Sequence, residues 1–327
     1  MPAPDADAIR AAAARIAPFT VATPLLSSPL LDARAGLRLL VKAESLQRTG
    51  SFKWRGAINA LLSLDAAARQ RGVVAFSSGN HAQGVAAAAQ TLGIRAVVVM
   101  PADAPAIKAA NTRAYGAEVV LYDRHTESRE AIAERLAIER GAALIPPYDD
   151  ARIVAGQASV GLELAAQARA MDVALDAVIV PCSGGGLLAG VALALHETSP
   201  RTKIYAAEPD GFDDMRRSLA AGVRITNDTG GQSLCDCLLA PIPGELPFAV
   251  ARQHVAGSIV VSDGEICRAM AAAFADLKLV LEPGGAAGLA AALGGTLARG
   301  HQTIAVVASG GNVDRETFSA ALRRSPA

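Results

Sequence analysis

The stretch Thr49-Gly50-Ser51-Phe52-Lys53-Trp54-Arg55-Gly56-Ala57 sets a lysine two residues after a Gly-Ser turn, at the head of an apolar run through Ile58, Ala60 and Leu61. That pattern predicts a helix beginning near Lys53, where the helix macrodipole disfavours an ammonium. An amine kept neutral can condense with an aldehyde, which is the usual reason to place a lysine in a partly desolvated, positive-potential spot. The competing reading is a solvated lysine at a helix start. The rest of the chain decides between them. Ser77-Ser78-Gly79-Asn80-His81, Ser183-Gly184-Gly185-Gly186-Leu187 and Ser309-Gly310-Gly311-Asn312 are small polar or glycine-rich loops, each directly after an apolar β-type run.

Outward from Lys53 the sequence alternates strand and helix. Leu37 to Lys42 reads as the strand that delivers Glu44, Gln47 and the lysine loop. Strands are expected at 72–76, 96–100 and 118–122, with helices at 81–92, 105–115 and 128–140. Such alternation implies parallel sheets covered by helices. Pro146-Pro147-Tyr148-Asp149-Asp150 interrupts it as a candidate hinge, and the pattern resumes through the strands 177–180, 203–207 and 303–308. Gly222 to Pro247 lacks periodicity and is expected to wrap the surface. The fold class is therefore α/β, with two doubly wound sheet domains.

Three glycines between a buried strand and a helix leave backbone N–H groups free at a positive helix end, which suits a phosphate. Ser77 to His81 stands at another helix start and suits a carboxylate. Gly184, Gly186 and Ala189 also satisfy the dinucleotide fingerprint G-x-G-x-x-A, and Glu208 ends the next strand where it could hold a ribose. An NAD(P)-dependent oxidoreductase is accordingly the second hypothesis. It leaves Lys53 and Ser309 without a task and places its βαβ unit in mid-chain.

Composition narrows the partners. The 327 residues carry 31 basic and 31 acidic side chains, with 51% hydrophobic and 19% charged residues, a profile that gives nucleic-acid or membrane-surface binding no support. The acidic start and the interruptions at Arg10 and Arg15 argue against a signal peptide. Cys182, Cys235, Cys237 and Cys267 form neither a disulfide nor a zinc framework by spacing. A cytoplasmic protein is the expectation.

From about Thr23 to Asp314, these motifs in this order resemble the pyridoxal-phosphate-dependent serine/threonine dehydratases of fold type II. That group includes threonine ammonia-lyase, serine racemase and hydroxyaspartate ammonia-lyase. The resemblance implies a large cofactor-binding domain made of residues 1–62 and 150–327, with a small mobile domain, 63–149, inserted into it. It implies that Lys53 holds the aldehyde carbon beside Phe52, that Ser183, Gly184, Gly185, Gly186 and Leu187 hold the phosphate, and that Asn80 donates to the phenolic oxygen. Ser309 would bond the pyridine nitrogen. A hydroxyl there leaves the ring nearly neutral and the electron sink weaker than a carboxylate would, which favours β-elimination over transamination.

Lys53 and Ser78 are the implied proton-transfer groups on the two faces, with Ser77, Ser78, Asn80, His81 and Arg129 around the substrate. Glu208, the Phe212 carbonyl and Asp214 match the family's divalent cation site, for Mg²⁺, Mn²⁺ or Ca²⁺; an acidic helix cap is the alternative. The expected activity is ammonia-lyase dehydration of a β-hydroxy-α-amino acid by a homodimer, without a regulatory domain after Asp314. Racemisation of the same amino acids is the alternative within the family, and a non-enzymatic binding protein is a third class. Among the candidate substrates, only 3-hydroxyaspartate brings a second carboxylate, for which Arg129 and Arg48 are the candidate cations.

Overall fold

The computed structural model describes residues 2–228, 230–298 and 300–324, so the end of the expected larger block, 325–327, lies outside them. Among the described residues the strands are β1 (Leu25–Ser27), β2 (Arg38–Ala43), β3 (Val73–Phe76), β4 (Ala96–Pro101), β5 (Glu118–Tyr122), β6 (Ala143–Ile145), β7 (Ala177–Pro181), β8 (Lys203–Pro209), β9 (Gly257–Val261) and β10 (Thr303–Ala308). They form a six-stranded sheet, β1-β2-β10-β7-β8-β9, and a four-stranded sheet, β5-β4-β3-β6. Only β1 runs antiparallel to its neighbour.

Both sheets are apolar on both faces, as parallel sheets sandwiched by helices must be. In the larger sheet Leu39, Val41, Ile179 and Val306 pack on one face, while Leu40, Val178, Val180 and Val307 pack on the other. The smaller sheet divides in the same way, with Val73, Ala75, Val98 and Met100 opposite Val74, Phe76, Val97 and Val99. No helix among the described residues is long and apolar enough to cross a membrane.

The helix Lys53–Leu62 lies against Ala151–Ala170 with almost no space between backbones. A Cβ on Gly156 would stand 2.6 Å from the Arg55 carbonyl oxygen and 2.7 Å from the Gly56 Cα, so only glycine allows the crossing. Beneath it is a buried charge network. Arg55 Nε donates to Glu44 at 2.8 Å and its Nη1 to Glu163 at 2.6 Å, and Lys42 Nζ reaches Glu163 at 2.7 Å and the Thr23 carbonyl at 2.7 Å. The lysine stretch is also stitched to the end of β10, where Phe52 N–H donates to the Ser309 carbonyl at 3.1 Å. Lys53 is thus held from two directions by backbone and by buried charge.

Two segments depart from the sequence expectation. β6 follows Gly141 too briefly to show a period, yet pairs with β3 through Ala75 and Ile145. The stretch from Gly222 to Pro247 does more than wrap the surface. Cys235 is fully buried, Leu238 nearly so, and the helix Glu245–His254 starts before the stretch ends. Side-chain bonds hold it in place of a repeating ladder: Asn227 donates to Asp214 and to the Ala240 carbonyl, and Asp263 accepts from Ser233 and the Leu234 N–H.

Candidate active site

Ligands of parallel α/β sheets bind beyond the carboxyl ends of the strands. Here those ends converge. Ser77 to Asn80 follow β3, Ser183 to Gly185 follow β7, Ser309 follows β10, and Phe52 and Lys53 come shortly after β2. All of these residues, with His81, Gly186, Leu187 and Arg129, line one cleft.

Lys53 is the first residue of its helix. Its Nζ donates to the Pro147 carbonyl at 2.8 Å and lies 5.3 Å from the centre of the Phe52 ring. Burial is the main force that moves its pKa down to about 8, and the Arg129 charge adds to it. A desolvated amine with this pKa is a usable nucleophile and base near neutral pH.

The glycine loop stays bare because side chains there have no room. A Cβ on Gly184 would collide with the Tyr148 ring, one on Gly186 would meet Tyr148 at 3.0 Å, and Gly185 has φ +91° just before the helix Gly186–Thr198. First-turn N–H groups of a helix have no intrahelical acceptor, so the loop presents donors at a positive helix end. Ser183 Oγ accepts from the Ala240 N–H at 3.1 Å and ties the loop to the neighbouring wall.

On the small-sheet side, Ser77 Oγ accepts from the Gly79 N–H at 3.1 Å, which bends the loop ahead of the helix Asn80–Leu92. His81 is 1% exposed, and its Nε2 lies 2.9 Å from the Ile145 carbonyl oxygen. That acceptor requires the proton on Nε2, which leaves Nδ1 as a buried acceptor without a partner. Burial, with Lys53 nearby, brings the His81 pKa down to about 3, so the ring is neutral. Arg129 lies 5.5 Å from the Phe76 ring centre and pairs with Glu130 at 2.7 Å.

Arg48 is not part of this site. It is exposed, stacks over Trp54 at 5.6 Å and does not line the cleft. The second arginine of the cleft is Arg124, which sequence reasoning missed, as it missed Tyr122, Tyr148 and Cys237. Glu282 and Lys108 were missed too. Glu282, 1% exposed, accepts from Asn80 Nδ2 and from Lys108 Nζ at 3.0 Å. A lone acid in the run Val280-Leu281-Glu282-Pro283-Gly284-Gly285-Ala286 is the one sequence signal that could have found it.

Glu208, Phe212 and Asp214 stand apart from the cleft. The Glu208 carboxylate accepts from the Met215 and Arg216 N–H groups at 2.8 and 2.9 Å, so it caps the helix Asp214–Ala221 from the end of β8. Asp214 Oδ1 accepts from Asn227 at 2.8 Å, but its Oδ2 is buried with no partner. Burial pushes Glu208 up to about 7, with Asp214 adding to it, and pushes Asp214 up to about 6. Two buried carboxylates with an orphaned oxygen fit a divalent cation.

The cleft's donor set fits pyridoxal phosphate by the same kind of test. It offers a nucleophilic amine, a bare glycine loop at a helix start, an amide from Asn80 and a hydroxyl from Ser309. Comparison with known proteins gives the same answer. The L-threo-3-hydroxyaspartate ammonia-lyase of Pseudomonas sp is 43% identical over 312 residues, covering 95% of this chain and 96% of that one. A serine racemase of Oryza sativa subsp. indica is 44% identical over 317 residues, covering 95% and 92%. The crystal structure of a T.th. threonine deaminase superposes with a TM-score of 0.90 at 48% identity, covering 95% and 99%. The family described as pyridoxal-phosphate dependent enzyme matches residues 16–310, and with it the lysine, the glycine loop and the terminal serine, so this chain belongs to that family of enzymes.

Proposed function

We propose that the enzyme is an ammonia-lyase that dehydrates 3-hydroxyaspartate and also accepts L-serine and L-threonine. The observation that carries the substrate choice is the pair of arginines lining the cleft, Arg129 and Arg124, beside a His81 that stays neutral. A second carboxylate entering a desolvated site needs a cation, whereas a methyl group or a hydrogen does not. A relative named for L-threo-3-hydroxyaspartate supports the same reading.

Bound pyridoxal phosphate supplies the electron sink that makes the substrate's α-proton acidic. This chain's residues do the rest. Ser183 to Leu187 would hold the phosphate, with Asn80 for the phenolic oxygen and Ser309 for the ring nitrogen. The N–H groups at the start of the helix Asn80–Leu92, with Ser77 and Ser78, receive the α-carboxylate. Lys53 Nζ takes the α-proton and returns it to the departing β-hydroxyl, which leaves as water, and hydrolysis of the released enamine yields the 2-oxo acid and ammonia. Ser78 serves the opposite face. Racemisation would use the same Lys53 and Ser78, and relatives named serine racemase support it as the second reading. A divalent cation held by Glu208, the Phe212 carbonyl and Asp214 is part of the proposal, supported by the unpaired Asp214 oxygen.

The test compares kcat/KM for the three substrates in wild type and Arg129→Ala. A loss for hydroxyaspartate of about 100-fold, with serine and threonine changed less than about fivefold, is expected for removal of a charged hydrogen bond. Equal losses on all three would reject Arg129 as the carboxylate clamp.

A further inference from the structure

Asn80 carries the amide that faces the cofactor in the reading above, and its neighbours determine which way that amide points. Asn80 Oδ1 accepts from Asn312 Nδ2 at 2.9 Å, and Asn312 is itself oriented by donating to the Thr49 carbonyl at 2.7 Å. On its other side, Asn80 Nδ2 donates to Glu282 Oε1. An ionised carboxylate only accepts, so an ionised Glu282 requires the amide nitrogen on its side. Among the described residues Glu282 has one cationic partner. Lys108, 2% exposed on the helix Ala106–Ala114, places Nζ 3.0 Å from Glu282 Oε2 and 2.8 Å from Asp236 Oδ2. To get there its side chain crosses the substrate loop, since a Cβ on Gly79 would stand 2.5 Å from Lys108 Cδ. Gly79 is glycine because Lys108 passes over it.

We propose that Glu282, with Lys108 as its counter-ion, is a positioning residue that fixes the orientation of the Asn80 amide, leaving a single Nδ2–H for the cofactor's phenolic oxygen. The inference rests on the cofactor reading and adds residues that reading does not contain. The groups facing Glu282 are Lys108 from the small-sheet side, Asp236 and Cys237 from the turn Asp236–Leu238, and Asn80 itself. Burial raises the Glu282 pKa, Lys108 opposes that rise, and Asp236 reinforces it. Cys237 stays a neutral thiol, because burial pushes it far up. If Glu282 gains a proton it becomes a donor, the amide is then held by the Asn312 bond alone, and a turn that breaks that bond puts its oxygen toward the phenolic oxygen. The sign follows from the raised value: the ordered arrangement holds above the Glu282 pKa and is lost as pH falls through it.

The full chain is reconstituted with pyridoxal phosphate, and the near-visible and near-ultraviolet bands of the bound chromophore are recorded from about pH 5.5 to about pH 9. A donor to the phenolic oxygen favours the near-visible form. Glu282→Gln should lower the near-visible to near-ultraviolet ratio by about threefold or more, the scale of one hydrogen bond, and remove its pH dependence. Lys108→Met should move the wild-type midpoint up by about one pH unit or more. A purely structural role would lower the thermal midpoint of both variants and leave the band ratio and its midpoint unchanged, which overturns the inference. Should Glu282→Gln fail to fold, an unshifted midpoint in Lys108→Met overturns it alone. A wild type with no near-visible band, and nothing trapped at Lys53 by borohydride, removes the cofactor reading and this inference with it.

Discussion

Two of the places where the large-sheet part of the molecule buries charge are treated differently. Beneath Lys53, Arg55 and Lys42 face Glu44 and Glu163, two cations to two carboxylates. Burial opposes ionisation of Glu163, yet Arg55 and Lys42 hold its carboxyl below the ordinary value. At the start of the helix Asp214–Ala221, Glu208 and Asp214 are both fully buried, and the nearby Arg216 and Arg217 pair with Asp213 instead. There burial wins and both carboxyls are pushed up. The first cluster balances its charges within the chain. The second is short of positive charge within the chain, a deficit that a proton or the proposed cation would relieve.

The largest effect tests the complete cluster. Arg55→Met leaves Glu44 and Glu163 with Lys42 as their remaining cation, and removing one partner of a buried network costs about 3–5 kcal/mol. Urea unfolding should show that loss as a lower midpoint at unchanged slope. Lys53 sits two residues away on the same helix, so the amine's reactivity should fall as well. A cost below about 1 kcal/mol would mean the cluster is no more than a set of surface pairs, and the comparison would fail.

This contrast also marks where the sequence was legible. The lysine stretch and the three loops could be read because they follow strands, and strand ends in parallel sheets meet at one edge; Arg129 came only from the family resemblance, and the cleft holds it with them. The alternation of strands and helices revealed both sheets for the same reason. What could not be read depends on side chains reaching across the fold. Lys108 looks like an ordinary lysine on an amphipathic helix, and nothing in its surroundings announces Asp236 or Glu282, which lie 128 and 174 residues further along the chain. Arg48 had the opposite fate: close to Lys53 in sequence, it points to Trp54 and solvent because the left-handed Thr49 (φ 61°) redirects the chain between them. Tyr148 was visible only as part of a proline-rich break, although its ring is what keeps the glycine loop free of side chains.

The intermediate effect sharpens the comparison from the incomplete cluster. Mg²⁺ added to chelator-treated protein should raise its stability by about 2.7 kcal/mol at a concentration about 100 times its Kd, because only the folded form holds the site. The pH dependence follows from raised carboxyls. Their protonated forms stabilise the metal-free fold below the unfolded values near 4, and this contribution is lost as pH rises through about 6 and about 7. A cation replaces those protons, so its stabilising effect should grow across the same window. Thermal midpoints with and without Mg²⁺ at about pH 5 and about pH 8 measure it. A gap that stays constant between the two would place any bound cation elsewhere.

The smallest effect separates a cation ligand from a helix cap. Asp214 opens its helix, and an acid in a first turn is worth about 0.3–1 kcal/mol to the helix through the macrodipole. If that is its whole task, Asp214→Asn lowers stability at every pH above the carboxyl's titration, with or without Mg²⁺. If the unpaired Oδ2 is there for a cation, the outcome has the opposite sign in metal-free protein. Asparagine keeps the oxygen that accepts from Asn227 and removes a buried charge beside Glu208, so the metal-free variant should gain about 1 kcal/mol at about pH 8. The same substitution should abolish the Mg²⁺ response, while Lys53 still captures the cofactor and the near-visible band is retained. A variant that loses stability in the absence of Mg²⁺ and keeps its response to the ion would return Asp214 to the capping role and leave the charge deficit at Glu208 without its proposed remedy.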